Sequence, residues 1–165
     1  MRKSAKWLAL SALFVSVMLI LGYVESLIPT GIPGVKLGLS NSVLLLAIYC
    51  LNIPCAFVLM AVKVVLSGLL FSGVSAMMYA FAGGMLSMIV MAALYRFDFS
   101  VITVAIAGAV SHNIGQVGLA MIMLETDKLI YYMATLMLVG VGTGFVTGSV
   151  AKILMKRLPQ SMRPK

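Results

Sequence analysis

The sequence has few of the residues that carry out most enzyme chemistry. Of its 165 residues, four are acidic, two are cysteines and one is a histidine. The acidic residues are Glu25, Asp98, Glu125 and Asp127, and only the last two lie close together in the chain. They provide no Ser–His–acid set, no phosphate-binding loop and no pair of carboxylates in a pocket. We therefore expect that the chain is not an enzyme.

The same scarcity argues against a bound metal or other cofactor. His112 has no second histidine or carboxylate at a spacing that would ligate a metal ion. Cys50 and Cys55 flank a short turn and also have no histidine or carboxylate nearby. The topology described below places this turn in the cytoplasm, where structural disulfides are rare. We expect no cofactor and no metal site, and the two cysteines should act as small packing residues.

Charged residues make up only 10% of the chain, whereas 62% is hydrophobic and the mean hydropathy is +1.14. These values indicate an integral membrane protein. The apolar runs are long and unbroken, which predicts an all-α bundle rather than a β-barrel with alternating residues. At about 20 residues per span, the chain has room for about six transmembrane helices. We place them in one transmembrane domain, 1–165, with spans near 7–28, 38–51, 54–72, 75–95, 99–124 and 129–155.

The net charge of +8 is concentrated at one side of the predicted bundle, so it does not indicate nucleic-acid binding. Lys36 and Lys128 alone fall in the predicted external connections, and Lys63 lies within a span. An excess of Lys and Arg marks the cytoplasmic side of a membrane protein. We therefore predict a multi-pass protein of the cell membrane, surrounded by lipid, with both termini in the cytoplasm. The basic residues on that side are Arg2, Lys3, Lys6, Arg96, Lys152, Lys156, Arg157, Arg163 and Lys165.

Residues 29–38 form the longest predicted external connection and contain two of the five prolines. Proline and glycine favour tight turns, so this segment is expected to be an ordered loop. One interpretation is a rigid connector between spans. The other is a lid over an outward-facing pocket, with Pro33, Gly34 and Lys36 as its central residues.

A run of polar residues interrupts the fifth span. His112 and Asn113 are adjacent, and Gln116 lies about one helical turn further on. Polar side chains at this depth are costly in hydrocarbon and usually face a cavity or a partner. His112 and Gln116 are four residues apart and share one helix face. This face could hydrogen-bond a polar ligand, or it could join neighbouring helices.

Three further polar residues lie within the predicted spans: Glu25, Asn41 and Lys63. Lys63 could bind an anion, pair with Glu25, or extend its ammonium group toward the membrane surface. The helical rise places most of these polar side chains in the outer half of the bundle. That distribution favours an outward-facing pocket beneath the 29–38 loop.

Small residues form two ridges along the predicted helices. Gly140, Gly144 and Gly148 repeat every four positions, a spacing that lets another helix approach closely. Packing within the chain is the favoured interpretation, and a dimer interface is the alternative. A weaker ridge begins at Ala5 and Ala9 in the first span.

Two segments carry a resemblance to a known family: Pro33-Gly34-Val35-Lys36-Leu37-Gly38-Leu39-Ser40-Asn41 and Ser111-His112-Asn113-Ile114-Gly115-Gln116. Together they resemble the Gx transporter family, whose members are often named heptaprenyl diphosphate synthase component I. More distantly, the chain is similar to the S components of energy-coupling factor transporters, which bind vitamins in six-helix bundles. The resemblance implies that the 29–41 segment is a lid. It also implies that Ala5 and Ala9 could dock a transmembrane energising subunit that works with ATPases.

These observations lead to two expectations about function. The first is a substrate-binding subunit of an importer that captures a small polar or anionic ligand through Glu25, Asn41, Lys63 and the His112–Gln116 segment. The alternative is a non-catalytic membrane partner of a polyprenyl diphosphate synthase. Prenyl elongation needs aspartate clusters that hold Mg²⁺ against diphosphate, and the sequence has none.

Overall fold

A computed structural model of the chain describes residues 2–27 and 38–157, and in those ranges helices are joined by short turns, with no β-strand. The all-α prediction is therefore confirmed for the described residues. A π-helical segment, Gly68–Ser72, continues the third helix and was not predicted. The six α-helices are α1 (Arg2–Leu27), α2 (Leu39–Cys50), α3 (Ile53–Ser67), α4 (Val74–Arg96), α5 (Val101–Met123) and α6 (Leu129–Arg157).

Local sequence signals explain where two of the helices begin. The side chain of Asn52 accepts a hydrogen bond from the Cys55 N–H at 2.8 Å, and Pro54 occupies the first turn of α3. The hydroxyl of Ser100 accepts a bond from the Thr103 N–H at 3.2 Å at the start of α5. Such caps pair backbone N–H groups that have no partner within the first helical turn.

The helices pack as a closed ring in the spatial order α1–α2–α6–α5–α4–α3, with α3 returning to α1, and α2 also packs against α3. We refer to the end of the ring that holds the start of α1 and the end of α6 as the terminal end. The opposite end is termed the loop end. Because the ring closes, its helices can enclose polar groups and keep them away from the surrounding lipid.

Apolar side chains cover the outside of the bundle, most clearly on α1. Of the described helices, α1 and α3 to α6 are long and apolar enough to cross a membrane, when α3 is counted through its π-helical segment. The chain is a multi-pass membrane protein. Ala5 and Ala9, the predicted docking residues, also lie on this exposed surface. The large exposed side chains of α1 include Trp7, Leu8, Leu13, Ile20 and Leu27.

The α2 helix differs from its neighbours in length and burial. Its 12 residues rise about 18 Å, whereas the hydrocarbon core of a bilayer is about 30 Å thick. Eight of those residues are buried inside the ring. The helix begins at Leu39, directly after Gly38, which has a left-handed conformation (φ 77°).

The glycine ridge of α6 packs against α5, as the interpretation of packing within the chain predicted. A Cβ atom on Gly144 would lie 2.6 Å from the Cα of Ile106, and one on Gly148 would lie 2.9 Å from the Cα of Ile102. These neighbours are backbone atoms and cannot rotate away. Gly142 is different, because a Cβ atom there would have no neighbour within 4 Å.

We predict that Gly144→Ala lowers the free energy of unfolding by about 1–3 kcal/mol, because the added methyl group forces α5 and α6 apart. Gly142→Ala lies on the same helix and is the matched control, since its methyl group meets open space. Thermal unfolding of both variants in detergent tests this. Equal melting temperatures for the two variants would contradict the packing described here.

Candidate ligand-binding cavity

A cavity of about 110 Å³ lies inside the ring and receives side chains from all six helices. Its wall includes every polar residue that the sequence analysis proposed for ligand binding. Residues distant in sequence therefore meet at one place, although their role in binding remains a prediction. The six residues are Glu25, Asn41, Lys63, His112, Asn113 and Gln116.

Lys63 and Glu25, the charged residues of the cavity wall, both form hydrogen bonds with the first turn of α2. The ammonium group of Lys63 donates a hydrogen bond to Oδ1 of Asn41 at 3.0 Å. The carboxylate of Glu25 accepts a hydrogen bond from the N–H of Leu39. A negative charge at a helix N-terminus is favourable, because the first backbone N–H groups of the helix point toward it. Glu25 thus fixes the start of α2 and is buried there, with 6% of its surface exposed.

Asn113 joins α5 to α6. Its Nδ2 donates a hydrogen bond to the backbone oxygen of Leu136 at 2.7 Å. Gly140 makes this approach possible, since a Cβ atom there would lie 2.9 Å from Nδ2. The sequence left open whether the polar run binds a ligand or joins neighbouring helices. Asn113 joins two helices.

His112 lies against α4 at another glycine. A Cβ atom on Gly83 would lie 2.6 Å from the backbone oxygen of His112 and 3.1 Å from its Nδ1. The glycine therefore gives the imidazole room to lie between α4 and α5. Gln116 also lines the cavity, and its amide forms no hydrogen bond with another described residue. The amide of Gln116 can therefore both donate to and accept from a ligand.

Several hydroxyl groups in the cavity wall were not proposed from the sequence. Thr143 and Thr147 donate to carbonyl oxygens of their own helix at 3.3 and 3.2 Å, which leaves their oxygens able to accept. The spacing of four residues between Thr143 and Thr147 places them on one helix face, and this pattern could have indicated them from the sequence. Ser40 also lines the cavity, but a single serine among apolar residues carries little information.

The cavity extends further toward the terminal end than we predicted from the helical rise. Met91 and Ala105, which lie within two turns of that end, belong to its wall. The described residues contain no group of three histidine, cysteine or acidic side chains that could hold a metal ion. The cavity offers hydrogen-bond donors, acceptors and two opposite charges, which suits recognition of a small polar molecule.

A family model described as heptaprenyl diphosphate synthase component I matches residues 14–154. The chain belongs to this family. Membership agrees with the expectation of a non-catalytic component. The match begins within α1 and ends in the last turn of α6, so it includes the whole cavity. No curated protein and no solved structure gave a significant match.

The predicted lid cannot be placed against the cavity. Pro33, Gly34 and Lys36 lie outside the described residues. Gly38, at the end of this segment, is described and lines the cavity. The lid therefore stays a prediction from the sequence.

We predict that Asn113→Ala lowers the free energy of unfolding by about 0.6 kcal/mol and by no more than about 1.7 kcal/mol, the average and the maximum for interhelical hydrogen bonds in a membrane protein. Gln116→Ala, one turn further along the same helix, removes no bond to a described residue and should leave stability nearly unchanged. Chemical unfolding of the two variants in the absence of ligand compares them. A larger loss for Gln116→Ala would refute the division of roles between the two amides.

Proposed function

We propose that this chain is a non-catalytic membrane component of a polyprenyl diphosphate synthase. The observation that carries the proposal is the family match over residues 14–154, whose description includes the words component I. The composition supports an accessory role, because four acidic residues without an aspartate cluster provide no Mg²⁺–diphosphate centre. The catalytic subunit would be a separate, aspartate-rich protein. The bundle would hold that subunit at the membrane, where its long apolar product partitions into lipid.

The association can be tested with the purified chain and a soluble, aspartate-rich prenyl synthase subunit from the same source. We expect the two to copurify in detergent and to elongate isopentenyl diphosphate faster together than the soluble subunit does alone. Lys63→Ala is a suitable control, because Lys63 lies inside the ring and not on its outer surface. That variant should associate as the wild type does. No association and no change in elongation would rule out the proposal.

The cavity favours a second candidate function, the capture of a small molecule for an importer. We propose that the polar wall formed by Lys63, Asn41, His112 and Gln116 binds the substrate. In this function both termini lie in the cytoplasm and the loop end faces outward, as the distribution of basic residues favours. An energising subunit with ATPases would then drive transport, and the exposed surface around Ala5 and Ala9 would be its docking site.

The second candidate predicts that a small molecule copurifies with the protein and is detected by mass spectrometry. Lys63→Ala should reduce its affinity about tenfold or more, because hydrogen bonds to a charged group contribute about 1.5–3 kcal/mol. His112→Ala should also reduce the affinity, because the imidazole lines the same cavity. Lys152→Ala removes an exposed lysine of α6 and serves as the control. Equal occupancy in Lys63→Ala, His112→Ala and the wild type would refute the assignment.

A further inference from the structure

The π-helical segment Gly68–Ser72 forms part of the cavity wall at the end of α3. The N–H of Gly73 donates a hydrogen bond to the carbonyl oxygen of Gly68 at 2.9 Å, the i→i+5 pattern of a π-helix. Two consecutive residues of this segment, Phe71 and Ser72, line the cavity. Single π-helical turns within α-helices are rare and often occur at functional sites. The side chains that this segment places against the cavity are therefore of interest.

The ring of Phe71 lies between the cavity and the outside of the bundle. It packs edge-to-face against the ring of Tyr23 on α1, with the centroids 5.8 Å apart and an angle of 67° between the ring planes. Phe71 lines the cavity, whereas Tyr23 is half exposed on the outer surface. At the seam between α1 and α3, two side chains therefore separate the cavity from the surroundings. We refer to Tyr23 and Phe71 as the aromatic pair.

The backbone of the π-helical segment is held by α4 and not by the aromatic pair. A Cβ atom on Gly68 would lie 2.6 Å from the Cβ of Met77, so the start of the segment lies close against α4. Gly73 then turns the chain directly into α4 with a φ of 81°, a conformation that favours glycine. The rings of the aromatic pair can therefore separate while the segment stays attached to α4.

The seams on the other side of the ring differ, because backbone atoms meet there. A Cβ atom on Gly115 of α5 would lie 2.9 Å from the backbone oxygen of Ala82 on α4. Between α6 and α5, a Cβ atom on Gly144 would lie 2.6 Å from the Cα of Ile106. Such seams open only if whole helices move apart. The surface of α1 is mostly exposed, and its contact with Phe71 is made by side chains that can rotate.

We propose that Tyr23 and Phe71 form a gate through which small molecules enter the cavity between α1 and α3. Rotation of either ring opens the gate, and α4, α5 and α6 keep their packing. An aromatic pair changes an equilibrium constant by only about two- to tenfold, so separating the rings is a modest cost. Tyr23 lies four residues before the end of α1, which places the gate near the loop end. The inference concerns access to the cavity and requires neither transport nor a particular ligand.

A cysteine placed in the cavity wall measures entry directly. Thr143→Cys puts a thiol in the wall on α6, in a chain whose Cys50 and Cys55 are replaced by alanine. The full chain in lipid nanodiscs is treated with methyl methanethiosulfonate, a small uncharged reagent that transfers its methylthio group to a thiol and releases methanesulfinate. Mass spectrometry follows the modification with time. We expect slow modification in this parent chain, because the aromatic pair closes the seam.

Phe71→Ala and Leu70→Ala form a matched pair for the decisive measurement. Both remove a large apolar side chain from the π-helical segment, but Leu70 is 67% exposed on the outside and is not part of the cavity wall. Phe71→Ala should raise the rate of modification about tenfold, and Leu70→Ala should leave it unchanged. Tyr23→Leu keeps an apolar side chain but removes the edge-to-face contact, so it should raise the rate about twofold or more.

A second reporter separates opening of the gate from loosening of the whole bundle. Val104→Cys places a thiol in the buried core outside the cavity wall, and it should stay unmodified in every variant. If Phe71→Ala exposes this thiol, the comparison of Tyr23→Leu with Leu70→Ala decides instead.

Equal rates of modification in Phe71→Ala and Leu70→Ala would overturn the gate, because the reagent would then enter by another route. A rate in Tyr23→Leu no higher than in Leu70→Ala would overturn it as well. Neither result would affect the two proposed functions. Copurification with a synthase subunit decides one of them, and mass spectrometry of copurifying molecules decides the other.

Discussion

A helix of 12 residues rises little more than half of the hydrocarbon thickness of a bilayer, so the polar groups at the ends of α2 depend on neighbouring helices for partners. The first backbone N–H groups of a helix have no partner within it, and hydrocarbon offers none. Glu25 supplies one at Leu39. The polar side chains of α3, α5 and α6 line the same cavity as the first turn of α2.

The two functions proposed here draw on different parts of the molecule. Association with a synthase would use the outside of the bundle and leave the cavity unexplained. Ligand capture would use the cavity and leave the description of the family unexplained. A cavity ligand that controls association with a partner would join the two, because the residues of the wall belong to all six helices of the ring. A ligand bound there would lie among all six helices.

Much of the fold could be predicted from the sequence, because in a membrane hydropathy and the need for paired backbone groups permit few structures. The boundaries of α4 and α6 differ from the predicted spans by no more than two residues. The π-helical segment Gly68–Ser72 has no comparable signal, since its residues are as apolar as those of a regular helix. It was found only in the packed structure.

The residues that meet in the cavity wall could be predicted from the sequence. Which of them join neighbouring helices could not. Lys63, His112 and Gln116 stand out because polar groups are rare in hydrocarbon. Which amide joins helices and which faces the cavity depends on partners far away in sequence, such as Leu136 beside Asn113. Ser40 is inconspicuous in sequence, although it is buried and lines the cavity. That property exists only once the neighbouring helices are in place.

Gly83 and Gly140 also have a consequence for any attempt to transfer this site to another bundle. Each provides the clearance in which a polar residue of α5 lies, His112 in one case and Asn113 in the other. Copying the α5 sequence alone into a host with larger residues at these positions would push the helices apart. The transferable unit is therefore a polar residue together with the glycine on the facing helix, and substitutions at either member of a pair should be interdependent.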